Sequence, residues 1–256
     1  MGAIADKGKM YFFERNVDIP GLTRPSSTYD LGLYAELGVA DRAVLVVTMI
    51  ARLTYKDGLN LVWTGVEKTT FTAALKSRLT TEWEEKHKLQ TMTPTVLAYD
   101  KIAVVFDLQF SESIGTAAHS HWNIDIIKIL PAAFVTSTTD DVTLAGLLNG
   151  RVELDSNDLI SVPKGGPASQ FPAAHEFGHM LGYRDEYLNA KGKPEDNDAW
   201  TTDLASIMNL SSTVQPRHYI WFADWCNRQC ATLASLSKKP IDWRVNGTLN
   251  LATALV

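Results

Sequence analysis

The spacing of apolar residues predicts strands first and then a long helix in the first third of the chain. The segment 43–55 (AVLVVTMIARLTY) is rich in β-branched residues and ends at the turn KDG, so it predicts a strand. The alternating segment 59–66 predicts the second strand of a hairpin. Large apolar residues then recur at every fourth position, which predicts a helix over 69–90.

Extended patterns return in the middle of the chain. Segments 101–110 and 121–130 predict strands, and a weaker extended pair surrounds 148–155. Segment 161–170 predicts a loop, and the Pro-, Ser- and Thr-rich segment 17–30 predicts an irregular lead-in. Because strands, a helix and more strands precede the next helix, we expect an α+β fold with a mixed sheet backed by helices.

Two later segments complete the predicted elements. An apolar stripe through 215–236 predicts a long C-terminal helix. Cys226 and Cys230 belong to that stripe, and their spacing within a helix favours packed thiols over a disulfide. Asn246-Gly247 lies between alternating residues and predicts a small hairpin.

Composition narrows the class of protein. The 256 residues fit one large domain or two lobes around a shared core, with 45% apolar and 21% charged residues. A net charge of -5 and the lack of a Lys/Arg cluster give no sign of a nucleic-acid partner. The longest apolar run is too short to span a membrane, and the start MGAIADKGKMYFFERN does not predict a secretory signal. We therefore expect a soluble protein that is cytoplasmic or exported by a signal-independent route.

The segment AAHEFGHMLGYRDEY carries the candidate chemistry. We expect a helix here, with Ser169 as its N-cap and Pro172 in its first turn. His175 and His179 then lie one turn apart on one face, where both imidazoles can reach one zinc ion. Glu176 is offset by roughly 100° around the helix axis, so it can approach a metal-bound water as a general base.

A catalytic zinc site needs a third protein ligand and an open position. Gly182 can end the helix in a left-handed conformation, and Asp185 follows three residues later. Glu186 is adjacent and could substitute if the turn differs. Three acids farther along are also candidates, namely Glu195, Asp196 and Asp198.

The pattern H-E-x-x-H-x-x-G-x-x-D resembles the metzincin zinc peptidases, whose signature is H-E-x-x-H-x-x-G-x-x-H followed by a Met-turn. It departs at Asp185, where it is similar to the snapalysin-like branch, and that spacing favours Asp185 as third ligand. Met208 in SIMNL matches the Met-turn position. Leu210 replaces a Tyr that assists catalysis in several relatives, so a helper must lie elsewhere, with four candidates: Tyr183, Tyr187, His218 and Tyr219.

The resemblance implies a zinc-dependent endopeptidase acting on a protein or peptide. His175, His179 and Asp185 are expected to hold Zn²⁺, and Glu176 to act as general base. Met208 is expected to pack beneath the histidines without binding the metal.

It also implies an architecture. We expect a twisted mixed sheet, a backing helix and the active-site helix in an upper lobe, residues 1–182 of a single catalytic domain. Residues 183–256 are expected to form a smaller lower lobe with the Met-turn and the long C-terminal helix. The substrate would lie in the cleft between them, along a sheet edge.

Three alternatives remain open. The chain could be a bacterial toxin or effector metallopeptidase with a specific protein target, or a non-catalytic binding module stabilised by its metal. The motif could also be an ordinary amphipathic helix with two half-buried histidines, although this explains neither the glycine nor the acids after it. His119 and His121 could hold a second metal or touch substrate, but a polar turn is the simpler interpretation.

Overall fold

The computed structural model of the chain describes residues 7–17, 29–36, 42–91, 101–113, 120–131, 133, 135–140, 150–188, 192–193, 200–234 and 242–246. Within these ranges the chain forms a nine-stranded mixed sheet, a two-stranded hairpin and three α-helices, which is the predicted α+β class. No helix of the described residues is long and apolar enough to cross a membrane.

The strands and helices of the described residues are numbered in chain order. The strands of the large sheet are β1 (Lys7–Glu14), β2 (Asp30–Glu36), β3 (Arg42–Lys56), β4 (Lys88–Thr91), β5 (Lys101–Ser111), β6 (Trp122–Ile127), β7 (Thr138–Asp140), β8 (Gly150–Asp155) and β11 (Trp243–Val245). The separate hairpin consists of β9 (Val162–Gly165) and β10 (Ala168–Gln170). The helices are α1 (Gly65–Trp83), α2 (Pro172–Met180) and α3 (Ile220–Ala234), and a 3₁₀ turn (Pro216–Tyr219) leads into α3.

Strand β3 is the centre of the sheet. It pairs in parallel with β5 along one side, and along the other side first with antiparallel β2 and then with parallel β6. β8 continues in parallel beyond β6, and antiparallel β7 is the last strand at that end of the described sheet. At the opposite end β4 and β11 pair antiparallel beyond β5. The sheet is thus mixed, with a short antiparallel strand at the edge nearest α2.

His121 fills the gap between β2 and β6 along β3. Its backbone N–H donates to the carbonyl of Ile50 at 2.8 Å, and its Nδ1 accepts from the Ile50 N–H at 2.9 Å. Its Nε2 bonds Asp30 Oδ1 at 3.2 Å, at the start of β2. Both ring nitrogens are therefore used by the protein, so His121 holds the sheet together and leaves no nitrogen for a second metal. His119 lies outside the described residues.

Helix α1 packs on the sheet through the apolar face that its spacing predicted, but its bounds differ. Thr64 and Glu67 form a capping box, with Glu67 N–H donating to Thr64 Oγ1 at 3.3 Å and Thr64 N–H to Glu67 Oε2 at 2.8 Å. This cap starts the helix at Gly65, so the strand predicted over 59–66 is wrong. The helix ends at Trp83, and the last residues of the predicted helix are in β4.

The strands predicted over 43–55, 101–110 and 121–130 are confirmed within a few residues. Strands β1 and β2 were not predicted. The loop predicted over 161–170 is the β9–β10 hairpin, and its turn uses Gly165 and Gly166 at φ of 107° and 55°.

Two predictions near helix ends are also corrected. Ser169 lies in β10, so it is not a cap, and α2 starts after Phe171 with Pro172 as its first residue. At the chain end β11 pairs with β4, while Gly247 of the predicted hairpin lies outside the described residues. The C-terminal helix is confirmed as α3, and Cys226 and Cys230 are buried free thiols.

Replacing His121 by Phe keeps a ring in this place and removes both nitrogens. The Ile50 N–H then loses its acceptor, so we expect the free energy of unfolding to fall by about 1–3 kcal/mol. Urea unfolding followed by circular dichroism measures the change. The exposed control Ser77→Ala is expected to change stability by less than about 0.5 kcal/mol. Equal midpoints for His121→Phe and the wild type would contradict the role assigned to this side chain.

Candidate metal centre and active site

A glycine turn at the end of α2 brings the metal-binding candidates together. Gly182 has a φ of 99°, a left-handed conformation that favours glycine. Its N–H donates to His179 O at 2.9 Å, and the Tyr183 N–H donates to Gly178 O at 3.0 Å. This is a Schellman motif, which ends the helix and reverses the chain toward it. Asp185 therefore returns to the face that carries the two histidines.

The three predicted ligand atoms converge. Asp185 Oδ1 lies 3.1 Å from His175 Nε2 and 3.3 Å from His179 Nε2. The ligand atoms of the three residues all lie within 4.8 Å of one another. Ligands about 2.05 Å from a tetrahedral zinc lie roughly 3.3 Å apart, so two of the three separations already suit one ion.

Backbone carbonyls fix the orientation of both imidazoles. His175 Nδ1 lies 2.8 Å from Ile207 O, and His179 Nδ1 lies 2.8 Å from Tyr183 O. Because a carbonyl only accepts hydrogen bonds, each Nδ1 carries a proton and can leave the Nε2 lone pair for a metal. Gln170 supports this arrangement, since its Nε2 donates to Ile207 O at 2.8 Å.

The charges of the three side chains suit a cation. Burial alone would raise the pKa of Asp185, but the hydrogen bonds and charges of His175 and His179 outweigh burial and lower it well below its usual range. Burial would likewise lower the pKa of His179, yet Asp185 raises it. The Asp185 carboxylate is thus stabilised by positive charge beside it, and a divalent ion bound among the three side chains would supply that charge.

Glu186 faces a different partner. Its carboxylate accepts from Arg217 Nε at 2.8 Å and Nη2 at 2.6 Å, and Arg217 also pairs with Asp203 at 2.8 Å. Burial would raise the pKa of Glu186, but Arg217 and His218 lower it to about 2. Glu186 is therefore part of a buried ion-pair cluster and not of the histidine pair. The other third-ligand candidates lie outside the described residues, namely Glu195, Asp196 and Asp198.

Met208 lies directly beneath α2. The side chain is fully buried, and a Cβ added at Gly178 would overlap its sulfur. The Met208 carbonyl accepts from the Glu186 N–H at 2.9 Å, so the segment after the helix is hydrogen-bonded to the turn that contains Met208. Gly178 permits the close approach of this turn to the helix that carries the histidines.

Among the four candidate helpers, Tyr187 borders the site. Tyr183 is stacked on Trp83, and its hydroxyl donates to the carbonyl of His218. His218 and Tyr219 are almost completely buried. Tyr187 instead lines a cavity beside His175.

This cavity has a volume of about 210 Å³ and lies next to the first histidine and the glutamate of the motif. Its walls come from the segment before β7, the β9–β10 hairpin, α2, the segment after α2 and the turn that follows Met208. They consist of Thr136, Ser137, Lys164, Gln170, Pro172, His175, Glu176, Tyr187, Asn209 and Leu210.

Thr139 was not predicted, although it touches the proposed base. Its hydroxyl donates to Glu176 Oε2 at 2.6 Å from strand β7. Glu176 is 6% exposed, so this bond fixes the carboxylate in a largely buried position. The sequence TSTTDD contains β-branched polar residues that could have indicated an edge strand. Nothing in it could have indicated the hydrogen bond from Thr139 to Glu176.

Asp158 was also missed and joins three elements. Its Oδ2 accepts from Ser137 Oγ at 2.8 Å and from the Asp155 N–H at 2.7 Å, and its carbonyl accepts from the Ala173 N–H at 3.2 Å. Asp158 thus connects three parts of the chain: the segment before β7, the end of β8 and the first turn of α2. Burial raises the pKa of Asp158 to about 7, more than its hydrogen bonds lower it.

No protein-family model matches the chain, and no curated protein or solved structure is significantly similar to it.

Replacing Asp158 by Asn should stabilise the protein more as pH rises. The raised pKa means that the folded state holds the proton more tightly than the unfolded chain, so ionisation between about pH 4 and pH 7 weakens the fold. Asn keeps the two acceptor bonds and cannot ionise. Its stability relative to the wild type should rise by on the order of 4 kcal/mol across this window and then stay constant. Urea unfolding at each pH, with a metal chelator present, measures the difference in unfolding free energy between the variant and the wild type. A difference that does not change with pH would refute the prediction.

Proposed function

We propose that the chain is a zinc-dependent endopeptidase of the metzincin type. His175, His179 and Asp185 hold Zn²⁺, and Glu176 is the general base. The observation that carries the proposal is the convergence of the two Nε2 atoms and one carboxylate oxygen, with both Nδ1 atoms committed to backbone carbonyls. This is the donor set and the outer hydrogen bonding that catalytic zinc sites use.

Zinc in this site supplies Lewis-acid activation of the attacking water and of the scissile carbonyl. Glu176 does the proton transfer. Its Oε2 accepts from Thr139, which leaves Oε1 to take a proton from the water and deliver it to the leaving amine. Thr139 thereby sets the direction in which the base acts.

An extended polypeptide is the substrate that suits the surroundings. In the described sheet β7 pairs with β8 alone, and Thr136 and Ser137 lead from the cavity into β7. A peptide can add to such an edge as a further strand and place its carbonyl beside the motif. The cavity has walls from both 1–182 and 183–256, which supports a single catalytic domain with two lobes and the cleft between them.

Metal content and cleavage together test the function. We expect the wild type to bind one equivalent of zinc and to cleave denatured casein or a mixed peptide library. Glu176→Gln should keep the zinc and lose cleavage by at least about a hundredfold, because general-base catalysis contributes that much. Zinc is measured by mass spectrometry and cleavage by fluorescence. Undiminished turnover in Glu176→Gln would refute the mechanism, and zinc without any cleavage in the wild type would favour a metal-stabilised binding module.

Variants of the neighbouring acids test the ligand assignment. Asp185→Ala and His179→Ala should lose tight zinc binding, because each removes one of three ligands. Glu186→Gln is the matched control, since it removes the adjacent charge and leaves the three ligands in place. It should retain zinc although it weakens the buried pair with Arg217. Loss of zinc in Glu186→Gln under conditions where circular dichroism shows a folded protein would contradict the assignment.

Thr139→Val should lower kcat about tenfold with little change in KM. Val keeps the shape of Thr, so strand β7 should stay intact. It cannot donate a hydrogen bond to Glu176, so the orientation of the base is less well fixed. Thr139→Ser keeps the hydroxyl and should retain most of the wild-type kcat. Both constants are measured on one peptide from the library. Equal kcat for the Val and Ser variants would show that the hydroxyl does not position the base.

A further inference from the structure

Among the described residues that line the cavity, Lys164 is the one basic side chain apart from His175. Among the residues that line it, Glu176 is the one acid, and its carboxylate is already bonded to Thr139. The remaining walls are uncharged hydroxyl, amide, phenol and apolar groups. The cavity therefore contains an ammonium group that makes no ion pair with the Glu176 carboxylate.

The ammonium group is also without a partner in the rest of the described chain. None of the ion pairs or hydrogen bonds between described residues involves Lys164, and its side chain is exposed. By contrast, Arg217 forms ion pairs with Glu186 and Asp203. With respect to the described residues, Lys164 is thus available to a ligand in the cavity.

The backbone holds Lys164 near the metal site. It lies on β9, where Val162 pairs with Gln170 of β10. Gln170 in turn donates to the carbonyls of Ile207 and Asn209 at 2.8 and 3.0 Å. The base of the hairpin is therefore fixed to the segment that also orients His175, and Lys164 is two residues from that base.

The volume of the cavity limits what can enter. At about 210 Å³ it is smaller than typical small-molecule pockets of roughly 300–1,000 Å³. It suits one side chain of a longer substrate, which an extended peptide along β7 would supply. A carboxylate on that side chain can accept from Lys164 Nζ.

We propose that this cavity receives an acidic side chain next to the scissile bond, with Lys164 as the specificity-determining residue. The inference rests on the proposed endopeptidase function and adds the substrate class. Because Lys164 is exposed, solvent screens the pairing, so we expect a preference for Glu over Gln of about tenfold.

Two probes separate this inference from the function on which it rests. They are short peptide hydroxamates that bind zinc and differ only in Glu or Gln at the residue beside the hydroxamate. Their dissociation constants are measured by calorimetry on the zinc-loaded full chain, so turnover is not needed. The variants are Lys164→Ala and Lys164→Glu, with zinc content checked in each. Lys76→Glu is the matched control, because it makes the same charge change on the exposed face of α1, outside the cavity.

We expect the wild type and Lys76→Glu to bind the Glu probe about tenfold more tightly than the Gln probe. The preference should vanish in Lys164→Ala and reverse in Lys164→Glu. Equal affinities in the wild type, or an unchanged preference in Lys164→Ala, would overturn the specificity and leave the zinc site intact. Failure of the zinc-loaded wild type to bind either probe would overturn the proposed open zinc site and this inference with it.

Discussion

The left-handed turn at Gly182 is the constraint on which the site depends. Two histidines on one helix face can approach a shared point by themselves, but the third donor has to come from outside the helix. The Schellman bonds end α2 and turn the chain back, so that Asp185 meets both imidazoles. A residue with a Cβ would strain this left-handed turn, which sets the path of the chain to Asp185.

Parts of the chain far apart in sequence hold this local turn in place. The carbonyl of Ile207 orients His175, and Met208 fits under α2 because Gly178 has no side chain. Thr139 of β7 donates a hydrogen bond to Glu176, the proposed base. Asp158 is hydrogen-bonded both to Ser137 before β7 and to Ala173 at the start of α2. Burial raises the pKa of Asp158 to about 7, so ionisation of this carboxyl near neutral pH weakens the connection between edge strand and helix.

The sequence predicted what short-range geometry determines. His175, Glu176, His179 and Gly182 lie within one helix and its end, so their spacing in the sequence was enough to predict where they lie around the helix or at its terminus. The choice between Asp185 and Glu186 was left open because Arg217, which takes up Glu186, lies 31 residues away. Contacts across the sheet, such as the one from His121 to Ile50 over 71 residues, leave no local pattern. The start of α1 was a different kind of error, because the capping box at Thr64 is local and readable.

The tip of the β9–β10 hairpin has a consequence for how such a protein can diversify. No atom of the described residues lies within 4 Å of a Cβ atom built at Gly165 or Gly166, so residues inserted there would extend away from the described core. The rim of the cavity could then be lengthened or recharged while the proposed metal ligands stay where they are. Loop grafting at this one position offers a route to altered selectivity in the proposed peptidase from an unchanged scaffold.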